Sequence, residues 1–277
     1  MMGLRQLLSD PYISGIIWRG LAVGGLVSLC AALLGVTLVL KRFAMIGDGL
    51  SHVGFGAVAL SALLGLGGEF QMEFALPIVT VASFLLLHLT VKGKLKGDAA
   101  IAVISSSAMA VGVIIYHANG GMTADACNSL FGSASVITLS QKDLLISTLL
   151  SVTVMVLFML LYHRIFSATF DPVFAAASGV AGAGYQAVIA LLTSVTVVVG
   201  LKMMGAVMIS ALIIFPALTA MRLCKSFKGV VLTAAGVSLV CFVVGFIVAC
   251  VAGLPTGPCV VVVNLVALLA ASFMNKR

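Results

Sequence analysis

Long uninterrupted apolar runs dominate this chain, and short polar or glycine-bearing breaks separate them. Runs of about 17 to 25 apolar residues have the length that crosses a bilayer core as a helix. By that criterion spans are expected at Gly15 to Leu40, Ile46 to Leu66, Phe74 to Val91, Ala99 to His117 and Leu144 to Tyr162. Four more are expected at Ala187 to Leu201, Gly205 to Ala220, Val230 to Ala252 and Val260 to Phe273. Lys202 and Gly205 divide the Gln186 to Ala220 stretch into two segments that are short for full crossings, so the count is eight or nine. The expected architecture is all-α and polytopic, with some short or broken helices, in one membrane-spanning unit over residues 1–277 and no soluble domain.

Composition agrees with the pattern. The chain is 62% hydrophobic and only 8% charged, with a mean hydropathy of +1.28; a soluble fold of this length needs far more polar surface. The net charge of +7 is no nucleic-acid footprint, because the basic residues sit at the ends of apolar runs and form no single stripe. They report topology instead. Lys41 and Arg42, then Lys92, Lys94 and Lys96, then His163 and Arg164, then Arg222, Lys225 and Lys228, then Lys276 and Arg277 fall on alternate loops, which the positive-inside rule places in the cytoplasm. The opposite loops carry Glu69 and Glu73, then Asn119, Asp125 and Asn128, then the Leu254-Pro255-Thr256-Gly257-Pro258 turn. Nine spans with an external N-terminus satisfy every cluster except Lys142 and Lys202. Met1 to Ile13 lacks an apolar core followed by a cleavage site, so an interfacial segment is expected there and no removable signal peptide.

The six cysteines are scattered, without a C-x-x-C pair, and read as small core residues. Glycine says more, at 29 of 277 residues: Gly20 and Gly24 have small-xxx-small spacing, and Gly54, Gly56, Gly65, Gly67 and Gly68 lie close together. Such spacing permits close helix packing and broken helices. There is no phosphate-binding loop, no G-x-S-x-G elbow and no H-E-x-x-H helix. Uphill movement of a solute would therefore draw its energy from another chain.

Chemistry concentrates in Gly47-Asp-Gly-Leu-Ser-His52. Ionisable groups inside a membrane are expensive and functional by default. Side chains four apart share a helix face, so the Asp48 carboxylate and the His52 imidazole can ligate one divalent cation. The competing reading makes Asp48 a helix cap and His52 a satisfied core histidine. Ser51 and His117 are candidates for a metal pathway, against the plainer reading of His117 as an interfacial anchor. Met203, Met204 and Met208 read as packing or as a soft-metal path, and Asp98 as an N-cap.

Lys41-Arg-Phe-Ala-Met-Ile-Gly-Asp-Gly-Leu-Ser-His-Val-Gly-Phe-Gly-Ala-Val-Ala-Leu60 resembles the signature of the membrane-spanning subunits of ABC importers for zinc, manganese and ferrous iron. The stretches Gly97 to Gly112, Phe170 to Gly179, Gly205 to Arg222 and Pro255 to Pro258 are similar to four further signatures of that family, in order. The resemblance implies a permease of the bacterial cytoplasmic membrane that is not itself an enzyme. It implies a homodimer, two cytosolic ATPase subunits, an extracytoplasmic metal-binding protein, and alternating access for zinc or manganese as cargo, with no resident cofactor. It makes Asp48 and His52 the metal pair. It also makes Pro216 to Lys228, with Arg222, Lys225 and Lys228 on a short basic helix after Pro216, the main contact with the ATPase, and Asp171 to Gly179 a secondary one. Zinc is the favoured cargo, with manganese or iron(II) as alternatives. A secondary transporter without an ATPase, consistent with broken helices and a lone carboxylate, and a membrane enzyme are the other classes; the first of these is disfavoured by the coupling-loop resemblance.

Overall fold

A computed structural model of the chain describes residues 11–66, 70–91, 97–119, 130, 141–170 and 182–274. The main elements among these described residues are nine helices: α1 (Pro11–Leu40), α2 (Ile46–Leu63), α3 (Gln71–Val91), α4 (Gly97–Ala118), α5 (Gln141–Phe170), α6 (Gly182–Met204), α7 (Ala206–Leu223), α8 (Phe227–Ala252) and α9 (Thr256–Met274). There are no strands among the described residues. Eight of the helices are long and apolar enough to cross a membrane, and the described apolar part of α3, Gln71–Leu86, is shorter. The chain is a multi-pass membrane protein.

The break expected near Lys202 and Gly205 proves to be a hairpin apex. Gly205, at φ 83° and ψ 163°, is the single residue between α6 and α7, a conformation that only glycine adopts without strain. The two segments that looked short are helices of 23 and 18 residues; at 1.5 Å per residue even the second reaches about 27 Å. The hairpin closes because Gly200, lacking a side chain, lets Ile209 pack directly on α6.

Contacts at the helix ends fix the topology. Leu38 and Lys41 at the end of α1, Ile46 in α2, Leu86 in α3, Ile101 in α4 and Gln186 in α6 line one cavity. Arg164 at the end of α5 donates to the Tyr185 hydroxyl at the start of α6, at 2.7 Å. Phe166 of α5 meets Phe227 of α8. The described basic clusters thus share one side of the bundle, as the alternation of charge predicts; Lys92, Lys94, Lys96, Lys276 and Arg277 lie outside the described residues. At the other side, Gly24, Met204, Phe242 and Thr256 line a second, smaller cavity. Met203, Met204 and Met208 are buried there and pack beside aromatic rings.

Burial sorts the helices into layers. In α1, α2, α6 and α7 most of the apolar window is buried, whereas α4, α5 and α9 turn most of theirs outward. Large apolar residues such as Leu145, Leu149 and Leu160 on α5, and Val262 and Leu269 on α9, are exposed to what a bilayer would fill. Glycines bring the inner helices together. A Cβ at Gly35 of α1 would collide with the Ile213 carbonyl of α7, and one at Gly56 of α2 would lie 2.8 Å from the Ala108 oxygen of α4. Cys30 and Cys241 are buried, as expected of small core residues, and the Cys30 thiol donates to the Ser151 carbonyl.

Candidate metal site and coupling face

The pair stands in the first two turns of α2, on the basic side of the bundle. Met45, not Asp48, occupies the N-cap position, and no side chain caps the helix. Asp48 is the third helical residue, so its carboxylate is free for another role. Between Ile46 and Ser61 the positions of α2 that are not buried are Asp48, His52, Gly56 and Leu60. They recur every four residues and form one partly open line, crossed by α4 at Gly56, along a helix otherwise enclosed by α3, α4, α6 and α7.

Asp48 Oδ2 and His52 Nε2 lie 3.6 Å apart. Two ligands at about 2.1 Å from a tetrahedral ion stand about 3.4 Å from each other, so the pair accommodates a metal with little side-chain movement. Their side chains are 37% and 22% exposed, respectively, which leaves the gap accessible from outside the chain. His52 Nδ1 is buried and has no hydrogen-bond partner. A metal-bound imidazole normally donates its second N–H to a partner that fixes the ring, and His52 lacks that partner here. The helix N-terminus carries partial positive charge, which favours the Asp48 carboxylate and opposes a cation. Among the described residues no cluster of three or more His, Cys, Asp or Glu side chains is present. The described residues thus bring together one carboxylate and one imidazole and no third candidate ligand.

Ser51 is buried, and its hydroxyl donates to the Asp48 carbonyl at 2.8 Å, so it lies off the open line. His117 is exposed in the last turn of α4. Gly49 lies against Ile101 and Gly56 against Ala108, so α2 and α4 run parallel. His117, 16 residues beyond Ile101, therefore sits about 24 Å farther along, at the opposite face from the pair. Asp98 lies in the first turn of α4 and does not precede it.

The short basic helix expected after Pro216 is absent. Pro216 is buried inside α7, which continues to Leu223 and carries Arg222 in its last turn. Extended Cys224 and Ser226 flank Lys225 in a link to α8. The Ser226 hydroxyl caps α8 by accepting from the Gly229 N–H, as serine commonly does. Arg222, Lys225 and Lys228 are exposed on this compact corner. Asp171 to Gly179 lies outside the described residues.

Beneath the corner is an element that was not anticipated. Tyr162, Phe166 and Phe170 form an i, i+4, i+8 ladder on α5, and the Phe227 ring packs on all three, with centroids 5.4, 5.0 and 5.6 Å away. The backbones of α5 and α8 hardly approach each other elsewhere. The ladder is legible in the spacing; its partner, remote in sequence, is not.

Residues 14–275 match the ABC 3 transport family. The chain is 26% identical over 275 residues to the manganese import system permease protein ScaB of Streptococcus parasanguinis, covering 99% of this chain and 94% of that protein. It is 25% identical over 262 residues to the high-affinity zinc uptake system membrane protein ZnuB of Haemophilus influenzae, covering 95% and 98%. Its fold superposes on a chain of PsaBC from Streptococcus pneumoniae in complex with Fab with a TM-score of 0.82, at 22% identity, over 97% of this chain and 93% of that one.

Proposed function

The chain belongs to the ABC 3 transport family, and on that premise we propose that it is the permease subunit of an ATP-driven importer that passes a divalent metal ion across the bacterial cytoplasmic membrane. The observation that carries this reading is the Asp48–His52 pair, on the open line of an otherwise enclosed helix. Two ligands on an exposed line suit a site shared with a second copy of the chain across a two-fold axis, where four protein ligands would meet. An ion held between them stays bound while the path is closed on both sides and leaves when the copies move apart.

Metal binding competes with protonation of His52, because imidazole ligates only when neutral. Asp48 supplies the negative charge that offsets part of the cost of placing a dication within the bundle. The helix N-terminus keeps affinity low enough for release. Zinc is the favoured cargo because the site offers an imidazole, to which zinc is well suited; manganese is the second reading, since carboxylate and water suit it and relatives are named for both metals. Arg222, Lys225 and Lys228 form the face that docks a cytosolic ATPase, and an extracytoplasmic binding protein delivers the ion.

The test is metal uptake and ATP hydrolysis in proteoliposomes containing the permease, its ATPase and its binding protein. Asp48→Ala and His52→Ala are expected to assemble and to lose uptake of one metal by at least about tenfold, the loss of a ligand being worth more than 1.4 kcal/mol. Wild-type uptake by both variants would refute the site, and the ion better transported by the unsubstituted protein decides between zinc and manganese.

A further inference from the structure

Among the described residues, three helices end on a residue at positive φ: Arg42 at 62° after α1, Gly65 at 71° after α2 and Gly253 at 65° after α8. At α1 the hydrogen bonds are those of a Schellman cap, the Phe43 N–H donating to the Leu38 carbonyl at 2.9 Å and the Arg42 N–H to the Val39 carbonyl at 3.0 Å. The apolar contact that accompanies the motif falls between Leu38 and Phe43, which line one small cavity with Ile46 and Ile101. The same two bonds close α2, from Leu66 to Ser61 and from Gly65 to Ala62, but there glycine holds the left-handed position at no Cβ penalty. Arginine is strained in that conformation, so the α1 cap gives up stability to keep its side chain. That side chain is exposed and has no ion-pair partner among the described residues, which leaves the guanidinium free for a group outside the chain.

Helix contacts place this arginine beside the basic corner. Gly24 of α1 lies against Met204, next to the hairpin apex, and Gly35 against Ile213 of α7, so α1 and α7 run in the same direction. Counted from the Gly35–Ile213 crossing, Arg42 and Arg222 reach the same level to within about 3 Å at a rise of about 1.5 Å per residue. Packed helices stand about 8–10 Å apart, so Arg42 extends the exposed surface of Arg222, Lys225 and Lys228 across α1. It also leads directly into the metal-bearing helix: the Ile46 N–H donates to the Phe43 carbonyl at 3.1 Å, and Asp48 stands in the first turn of α2. We propose that Arg42 is a second docking point for the cytosolic ATPase, pairing with an acidic side chain of that subunit, and that its cap ties the docking face to the start of α2. This role rests on the reading of Arg222, Lys225 and Lys228 as the ATPase face. Displacement of the corner moves α7 and α8, whereas displacement of Arg42 moves the helix that carries Asp48 and His52.

Arg42→Gly, Arg42→Asn and Arg42→Lys in the full-length permease test this, read by graded heating, by titration of the purified ATPase, and by uptake per ATP hydrolysed in proteoliposomes. Arg42→Gly is expected to raise the unfolding midpoint by about 1–2 °C, because the strain is relieved. It is also expected to weaken ATPase binding about fivefold, the order of one interfacial arginine contact, and to lower uptake per ATP. Arg42→Asn, neutral and tolerant of the left-handed conformation, should weaken binding alike and stands in should Arg42→Gly fail to insert. Arg42→Lys keeps the charge and should retain most of the binding. The deficit should disappear in about 0.5 M salt, where charges are screened beyond about 4 Å. Wild-type binding and uptake by Arg42→Gly, a lowered midpoint in that variant, or an equal loss in Arg42→Lys overturns the proposal. A deficit confined to bilayers containing anionic lipid assigns the guanidinium to lipid phosphate and overturns it also. If reversing Arg222, Lys225 and Lys228 leaves ATPase binding intact, the docking face itself is refuted; if that reversal abolishes binding while Arg42→Gly binds as wild type, the role of Arg42 alone falls.

Discussion

Adding one methyl group at selected glycines tests whether helix approach or helix propensity governs this bundle. Glycine to alanine inside a helix gains about 1 kcal/mol from propensity alone. At Gly56 the new Cβ would lie 2.8 Å from the Ala108 carbonyl oxygen, inside ordinary van der Waals contact, so α2 and α4 must part by about half an ångström. Overpacking of this kind costs about 1–3 kcal/mol, giving a net destabilisation of about 1 kcal/mol. At Gly35 the three nearest atoms all belong to the Ile213 backbone, and no rotamer change relieves the clash; there the cost should reach or exceed the top of that range. Gly47 and Gly54 face the tips of Ile213 and Leu201 side chains, which can rotate, so alanine there should be nearly neutral. Gly236 has nothing within 4 Å, and Gly236→Ala should stabilise by the full propensity gain. One kcal/mol corresponds to about 2 °C in a chain of this size. The assay is retention of the detergent-solubilised peak on size-exclusion chromatography after graded heating. The predicted order, from most to least stable, is Gly236→Ala, wild type, Gly56→Ala, Gly35→Ala. Gly35→Ala at or above wild type, or Gly236→Ala as damaged as Gly35→Ala, would refute the packing argument.

Other perturbations probe the corner and the hairpin. Phe227→Ala removes a ring packed on three others; aromatic pairs contribute about 0.5–1.5 kcal/mol each, so a loss of about 2–3 kcal/mol is expected in thermal unfolding. If the ladder transmits motion from the corner to α5, the same variant should hydrolyse ATP in the reconstituted transporter while uptake falls; parallel loss of both would sink that role. Gly205→Ala forces a side chain into a glycine-only conformation at a cost of about 1–3 kcal/mol, measurable as a lower midpoint by the same heating assay. Reversing Arg222, Lys225 and Lys228 to glutamate should abolish co-purification with the ATPase, whereas unchanged association at low salt would exclude these residues as the docking face.

The hydrophobic pattern and charge placement alone determined the class, the number of spans among the described residues to within one and the shared side of the described basic clusters, because span length and charge placement answer to the bilayer and not to neighbouring helices. The i, i+4 spacing likewise placed Asp48 and His52 together, since helix periodicity is local. Only the tertiary structure decided that these two residues lie on the open line of α2 while Ser51 does not, because burial depends on what α3, α4, α6 and α7 cover. It also moved Pro216 into a helix interior, where packing against neighbouring helices sustains α7 past a residue that local propensity treats as a break. The aromatic ladder's partner and the small cavity beside Lys41 each join segments far apart in sequence. Such contacts are set by how helices pack and leave no periodic trace along the chain.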